Sequence, residues 1–188
     1  KPKGVITSVR DPKGRTVVTD FLKGVKERVY PVGRLDYDTE GLLLLTNDGE
    51  LAHMLTHPRH HVAKTYLATV ERVPHGHALD KLKRGIRLED GMTAPAEVEY
   101  QDVDPDGKFA TIRITIREGR NRQVRRMFEA IRHPVVRLKR ISFGGISLGN
   151  LQRGTYRKLT PEELRTLRDA AANAEAGDPP GADSGADT

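Results

Sequence analysis

Three carboxylates and an arginine crowd one nine-residue stretch of this chain. Gly33-Arg34-Leu35-Asp36-Tyr37-Asp38-Thr39-Glu40-Gly41 runs directly into Leu42-Leu43-Leu44-Leu45-Thr46-Asn47-Asp48-Gly49. The apolar run predicts a buried strand over Leu42–Leu45, which sets the preceding charges at the rim of the core. Charge beside a low-dielectric interior is costly to keep and so points to chemistry. That chemistry is nucleophilic or acid–base work by one carboxylate, or a hard cation held by several. A metal-dependent nuclease built on Asp36, Asp38 and Glu40 is the form the second option takes. Arg34, two positions from Asp36, competes for the same carboxylate and argues against it.

A second segment, Glu118-Gly119-Arg120-Asn121-Arg122-Gln123-Val124-Arg125-Arg126, reads as a strand end, a glycine turn and a helix start. Backbone N–H groups at a helix start attract phosphate, and four arginines reinforce them. Positive charge in a first turn opposes the helix dipole, so these arginines answer to something outside the helix. The segment lacks GxxxxGK[ST], so it is no nucleotide-triphosphate loop. His53 and His57 share a helix face at i, i+4, with His60 and His61 following. Met54, Leu55 and Thr56 lie between the first pair, so the glutamate of a zinc HExxH helix is missing. Histidines facing solvent or RNA beside Arg59 are the better reading.

The charge balance points the same way. The 188 residues carry a net charge of +6. Between Arg113 and Arg140 stand ten basic residues against Glu118 and Glu129 alone. Arginine forks bind phosphate oxygens bidentately, so a polyanion is the natural partner. Aromatic residues make up 5% and tryptophan is absent, which leaves room for one or two stacked bases and not for a long stacking platform. Without cysteine there are no disulfides or thiolate zinc sites. No signal peptide and no membrane-length apolar run are present, so a cytoplasmic protein without membrane contact is expected. Residues 171–188 hold four acids and no base, with Gly177-Asp178-Pro179-Pro180-Gly181 opening a low-complexity stretch expected to be disordered.

Several elements must position these side chains. Gly4–Val9 reads as a strand, Thr16–Leu22 as a short helix and Val29–Val32 as a short strand. Asn47-Asp48-Gly49 supplies the cap of a short helix over Glu50–Thr56. Lys64–Val70 alternates as a half-buried strand, and Pro74–Arg84 is helical up to Gly85. Ala96–Tyr100 and Phe109–Ile116 form a hairpin across Asp104-Pro105-Asp106-Gly107. Arg122–Arg132 carries Val124, Met127, Phe128 and Ile131 on one stripe. Val135–Phe143 is a further strand, and Thr160-Pro161-Glu162-Glu163 starts a final helix to about Ala172. Intermixed strands and helices favour α+β with a mixed, mainly antiparallel sheet over a doubly wound parallel one.

These motifs, taken in order, resemble the RsuA/RluB-type pseudouridine synthase family. GRLDYDTEGLLLLTNDG and EGRNRQVRRMF match its two signatures. KPKGVITSVRDPKGRTVVTDFL, KTYLATV, GIRLEDG and VVRLKRISFGGISLG fit its other segments, from Lys1 to about Leu159. The resemblance implies the pseudouridine synthase fold, with flanking helices and a central RNA-binding cleft, over residues 1–170. It implies an isomerase that detaches uracil from ribose, rotates it and rejoins it through C5, without cofactor or metal. Asp36 is then the catalytic aspartate, Tyr66 stacks on the target uracil, and Arg125 pairs with Asp36. Asp38 and Glu40 fall back to shaping the turn or facing solvent. Arg34, Lys64, Arg120, Arg122, Arg126 and Arg140 become phosphate contacts, and Leu138 gives hydrophobic cover. The expected partner is ribosomal RNA or a pre-ribosomal particle, 23S first and 16S as alternative, met by a monomer. Most family members carry an S4-type RNA-binding module ahead of this domain, which this chain does not include. A catalytically silent RNA-binding module on the same fold is the rival; the set Asp36, Tyr66 and Arg125 argues against it.

Overall fold

The computed structural model describes residues 1–175. After a 3-10 turn at Val18–Phe21 come β1 (Tyr30–Pro31), β2 (Thr39–Gly41), β3 (Leu45–Thr46) and α1 (Gly49–Thr56). Next are β4 (Lys64–Glu71), α2 (Gly76–Arg84), β5 (Arg87–Leu88), β6 (Gly91–Met92), β7 (Glu97–Val103) and β8 (Phe109–Ile116). The chain continues with α3 (Gln123–Ala130), β9 (Val135–Phe143), β10 (Ile146–Ser147) and α4 (Pro161–Glu175). The main sheet runs β10-β9-β4-β8-β7, and β2 adds to β9 as its parallel partner. Every other strand pair is antiparallel, so the fold is α+β with a mixed, mainly antiparallel sheet.

The alternation in β8 decides which face is covered. Ala110, Ile112, Ile114 and Ile116 are buried, while Thr111, Arg113 and Thr115 point the other way. Ala68 and Val70 of β4 and Leu138 of β9 share that inner face. The stripe of α3 packs on it through Val124, Met127 and Phe128, and α2 adds Leu79 and Leu82. Burying a side chain as fully as Phe128 or Ile114 contributes roughly 1.5–3 kcal/mol. A second core joins α1, α4 and β10 through Leu51, Leu55, Leu167, Ala171 and Ile146, with Leu42, Leu44 and Phe143 between them. Asp48 caps α1 by accepting from the Leu51 amide at 3.1 Å. Thr160 and Glu163 close a reciprocal capping box on α4.

Four expectations need correction. The strand placed at Leu42–Leu45 lies upstream, at Thr39–Gly41; Leu42 and Leu44 are buried in irregular chain, and only Leu45 enters β3. Gly41 explains the shift. Its φ is +118°, and a Cβ there would stand 2.2 Å from the Arg140 carbonyl oxygen, so only glycine lets β2 approach β9 this closely. Gly4–Val9 makes a single bridge, Ile6 to Val17, and no strand. The Thr16–Leu22 helix reduces to the 3-10 turn. The domain end set at residue 170 falls inside α4, which continues through Glu175 with Ala171 buried. The remainder of the predicted disordered tail, 176–188, lies outside the described residues. Among the described residues, no helix is long and apolar enough to cross a membrane.

Gly41→Ala should lower stability by more than about 3 kcal/mol, because both backbone and neighbour must shift. Gly149→Ala is the control: φ is +58° but nothing lies near its Cβ. It should cost about 1–2 kcal/mol. Urea denaturation of both variants measures this, and equal losses would contradict the close-approach argument.

Candidate active site

The acidic turn is built from both sides. Leu35, 5% exposed, anchors it in the interior. The Thr7 hydroxyl donates to the Leu35 carbonyl at 2.7 Å and accepts from its amide at 3.1 Å. The Gly4 amide donates to the Tyr37 carbonyl at 2.8 Å, and Lys1 Nζ to the Thr39 carbonyl at 2.6 Å. The Thr39 amide closes the turn on the Asp36 carbonyl. Residues 1–7, which overlap the strand expected at Gly4–Val9, are thus the buttress of this turn. No local pattern marks a lone threonine such as Thr7 for that task.

The three carboxylates part company. Asp38 receives a fork from Arg122, with both guanidinium nitrogens at 2.9 Å. That hydrogen bond, above all, holds the Asp38 carboxyl down at about 2, with the charges of Arg125 and Arg122 adding to it against burial. Glu40 does not face solvent: its side chain is 4% exposed and pairs with Arg137 at 2.5 Å and Arg153 at 3.4 Å. Burial pushes its carboxyl up, but the Arg137 hydrogen bond and the Arg137 and Arg153 charges outweigh this and hold it below the usual range. Asp36 keeps 38% side-chain exposure, and its nearest cation is Arg122, 3.9 Å away. Among the described residues its side chain accepts no hydrogen bond from the protein. Asp36 and Asp38 thus face the same guanidinium, and Glu40 is turned away from both onto Arg137 and Arg153. The histidines of α1 and its following loop make ring contacts, 5.2 Å from His53 to His57 and 5.4 Å from His57 to His60. No cluster able to hold a metal occurs among the described residues.

The arginine pairing also differs from expectation. Arg125, 8% exposed and on the buried face of α3, was expected against Asp36. Its Nη2 instead donates to the Asp38 carbonyl at 2.9 Å, and its Nε stands 3.6 Å from the Asp38 carboxylate. The residue before the helix, Arg122, is the one that reaches toward Asp36. Its backbone is left-handed, with φ 49° and ψ 34°, a conformation that costs about 1–2 kcal/mol outside glycine. The fork on Asp38 helps to hold it.

Tyr66 enters by strand register. It stands opposite Arg140 of β9, and Arg140 stands opposite Gly41 of β2. Tyr66, Arg140 and Gly41 thus form a row across three strands, roughly 10 Å wide at ordinary strand spacing. Tyr66 lies on the same face as Ala68 and Val70, where the apolar layer under α3 gives way to polar groups. Lys64 and Arg140 are those groups. Arg140 was expected on phosphate, yet it is 3% exposed, donates to the Leu42 carbonyl at 2.9 Å and stacks on Phe143 at 4.9 Å. It is a floor beneath the row and not a surface contact. Burial pushes its pKa down, and neighbouring Tyr66 acts in the opposite sense. Leu138 lies in the main core opposite Ala68.

The other basic candidates sort by partner. Arg126 forks onto Asp90 at 2.9 and 3.0 Å. Arg120 contacts Asp90, Glu118 and the carbonyls of Gly91 and Met92. Both brace α3 against the β5–β6 hairpin. The crowding of positive charge at this helix start is thus answered first by Asp38 and Asp90. Arg34 is exposed and has no ion pair among the described residues. Lys64 Nζ donates to the Glu118 carbonyl at 3.1 Å.

The sequence profile described as RNA pseudouridylate synthase matches residues 1–130. The ribosomal large subunit pseudouridine synthase B of Bacillus subtilis (strain 168) is 55% identical over 168 residues, covering 89% of this chain and 69% of that protein. The ribosomal large subunit pseudouridine synthase E of Vibrio parahaemolyticus is 43% identical over 171 residues, covering 85% of this chain and 71% of that protein. A crystal structure of a pseudouridylate synthase superposes with a TM-score of 0.76 at 37% identity, covering 89% of this chain and 70% of that one.

Burial lowers the Lys64 pKa from 10.5 to about 8, helped by the Arg140 charge and opposed by Glu118. Between those values the unfolded chain binds a proton that the folded chain does not, so this group makes stability rise with pH there. The rise from pH 7.5 to 9.5 should be smaller in Lys64→Met than in the parent by roughly 2 kcal/mol. Urea denaturation at the two pH values checks this; an unchanged rise would show that Lys64 is not held in a low-dielectric site.

Proposed function

The chain belongs to the RNA pseudouridylate synthase family, and on that premise we propose that Asp36, Tyr66 and Arg125 isomerise a specific uridine of ribosomal RNA. It is an RNA pseudouridine synthase; the residue roles and the target are the proposal. The observation that carries it is the fate of the three acids. Asp38 and Glu40 are taken up by arginines, while Asp36 stays half-exposed with a cation 3.9 Å away. Large-subunit 23S RNA is the target we favour, because the Bacillus subtilis relative named for the large subunit is 55% identical.

The reaction needs a base taken out of its stack. Unstacking costs a few kcal/mol, and the Tyr66 ring offsets part of it by offering a new stacking face. Asp36 acts as a carboxylate: either it attacks C1′ as the C1′–N1 bond breaks and leaves again when C1′–C5 forms, or it takes a ribose proton as that bond breaks and returns it afterwards, the uracil turning in between. Arg125 fixes the turn that carries Asp36 through the Asp38 carbonyl and adds positive charge without reaching solvent. The uracil rejoins through C5, and a proton passes from C5 to N1. No atom or electron is gained or lost overall, so the chemistry calls for no redox cofactor. In this reading the exposed Arg34 and Arg122 meet phosphates, which positions RNA without reading its sequence, while Lys64 sits below them on the Glu118 carbonyl. Arg120, Arg126 and Arg140 hold the scaffold instead. We place the enzyme in the cytoplasm as a monomer, acting on ribosomal RNA or a pre-ribosomal particle.

Asp36→Asn should reduce pseudouridine formation by roughly 10²–10⁴-fold or more while RNA affinity changes little. Chemical labelling and primer extension across both ribosomal RNAs should show one or a few large-subunit signals vanish in cells whose only copy is the variant. Loss in 16S RNA would move the target, and unchanged signals would sink the catalytic assignment. Tyr66→Phe should retain kcat/KM far better than Tyr66→Ala, whose loss of stacking is worth about 1–3 kcal/mol. Equal losses would point to the hydroxyl instead.

A further inference from the structure

We propose that Tyr37, at the tip of the turn that carries Asp36, stacks on the base adjoining the target uridine. The proposal rests on the reading that Asp36 acts on a uridine flipped out of its stack. Flipping leaves two faces bare: those of the uracil itself and that of the neighbour it was stacked on. Tyr66 serves the first. The second calls for an aromatic face of its own, close beside Asp36.

The turn supplies one. The Thr39 amide donates to the Asp36 carbonyl at 3.0 Å, so Tyr37 and Asp38 are the two corner residues of a β-turn. Such corners commonly carry proline, glycine or a small polar residue. Here a tyrosine stands there with 56% of its surface exposed, more than any other aromatic residue of the chain. The other exposed tyrosines are tied down by their hydroxyls, Tyr100 to the Pro74 carbonyl and Tyr156 to the Lys23 carbonyl. The Tyr37 hydroxyl donates to no acceptor among the described residues. Its backbone is nonetheless fixed, because the Gly4 amide donates to its carbonyl at 2.8 Å and its neighbour but one, Leu35, is buried. An aromatic side chain on a held backbone offers a large contact face and loses little freedom when a base settles on it.

The surroundings suit a polyanion. The Tyr37 hydroxyl turns toward the amino-terminal segment, 3.8 Å from where a Cβ on Gly4 would stand. On that segment Lys3, Arg10, Lys13 and Arg15 are exposed, against the one acid Asp11. Arg15 is held above its ordinary pKa chiefly by its hydrogen bonds to Asp11 and in small part by the Tyr37 phenol, which puts the guanidinium within electrostatic reach of the ring. Lys3, Arg10 and Lys13 have no ion pair among the described residues. An RNA strand leaving Asp36 on this side meets an aromatic face first and cations beyond it, the combination that holds unpaired nucleotides. Consecutive residues stand about 3.8 Å apart, so the base served belongs to an adjoining nucleotide and not to a distant one.

Kinetics of the full chain on deproteinised ribosomal RNA test this. Tyr37→Ala and Tyr37→Leu should each raise KM about 5–100-fold with kcat changed by less than about twofold, while Tyr37→Phe stays close to the parent. The slope of log affinity against log salt should not move in Tyr37→Ala, since no phosphate contact is lost. An abasic nucleotide on one side of the mapped uridine should cost the parent the same factor in KM and leave Tyr37→Ala indifferent, a coupling that a merely structural Tyr37 would not give. Tyr37→Trp reads the contact directly. The chain has no tryptophan, so RNA should quench this one indole, while Tyr100→Trp on β7, at the far edge of the sheet, should stay bright. Unchanged KM in Tyr37→Ala, equal losses in Tyr37→Phe and Tyr37→Ala, a parent indifferent to abasic nucleotides on both sides, or equal quenching of the two tryptophans would overturn the proposal. Failure of the synthase reading looks different: the parent enzyme itself would form no pseudouridine.

Discussion

The carboxylate of Asp38 is what the rest of this site hangs on. It joins a turn leading into the edge strand β2 to the first turn of α3, two elements more than eighty residues apart in sequence. A helix start studded with arginines is unfavourable against its own dipole. Here the acids of facing loops compensate, Asp38 for Arg122 and Arg125, Asp90 for Arg126. The helix in turn is committed to the core by Val124, Met127 and Phe128. The turn is therefore tied to a helix packed into the main core, and fixed placement is what a reacting carboxylate needs.

Where the site sits follows from where the apolar layer stops. Along the inner face of the sheet, Val70, Ala68 and Tyr66 lead from full burial to half exposure, and Lys64 follows. Beneath them Arg140 is buried whole, one nitrogen unsatisfied, between Phe143 and the Leu42 carbonyl. A buried cation beside an aromatic ring sets a positive potential next to Tyr66 without offering a hand to phosphate. Glu40 does a different job on the far side of β2. Its carboxylate ties Arg137 of β9 and Arg153 together and anchors the strand that begins three residues after Asp36.

Local pattern made much of this legible. The helix stripe of α3, the alternation of β4 and β8, the hairpin of β8 with β7, the span of β9 and the capped starts of α1 and α4 are all visible in residue order. Each depends on near neighbours in sequence. The ordered motifs did the same for the family. What stayed hidden depends on distant contacts. Leu42–Leu45 look like a strand because the run is apolar, but Leu42 and Leu44 are buried in a second core, and the ladder belongs to Thr39–Gly41. Arg140 looks like one more basic surface residue until its register between Gly41 and Tyr66 is known. Asp36, Asp38 and Glu40 alternate along one short stretch and are indistinguishable by type; only the positions of Arg122, Arg137 and Arg153 separate them.

That separation is the central claim, and it can be measured directly. Carbodiimide-driven amidation with a small amine, followed by peptide mapping over time, reports the reactivity of each carboxylate. Asp36 and Asp38 are similarly exposed, at 38% and 32%, so accessibility alone predicts similar rates. The arginine fork predicts otherwise: Asp36 should react well ahead of Asp38 and Glu40, and pseudouridine formation should decline in step with Asp36 modification. Comparable labelling of Asp36 and Asp38, or full activity after Asp36 is consumed, would contradict the account.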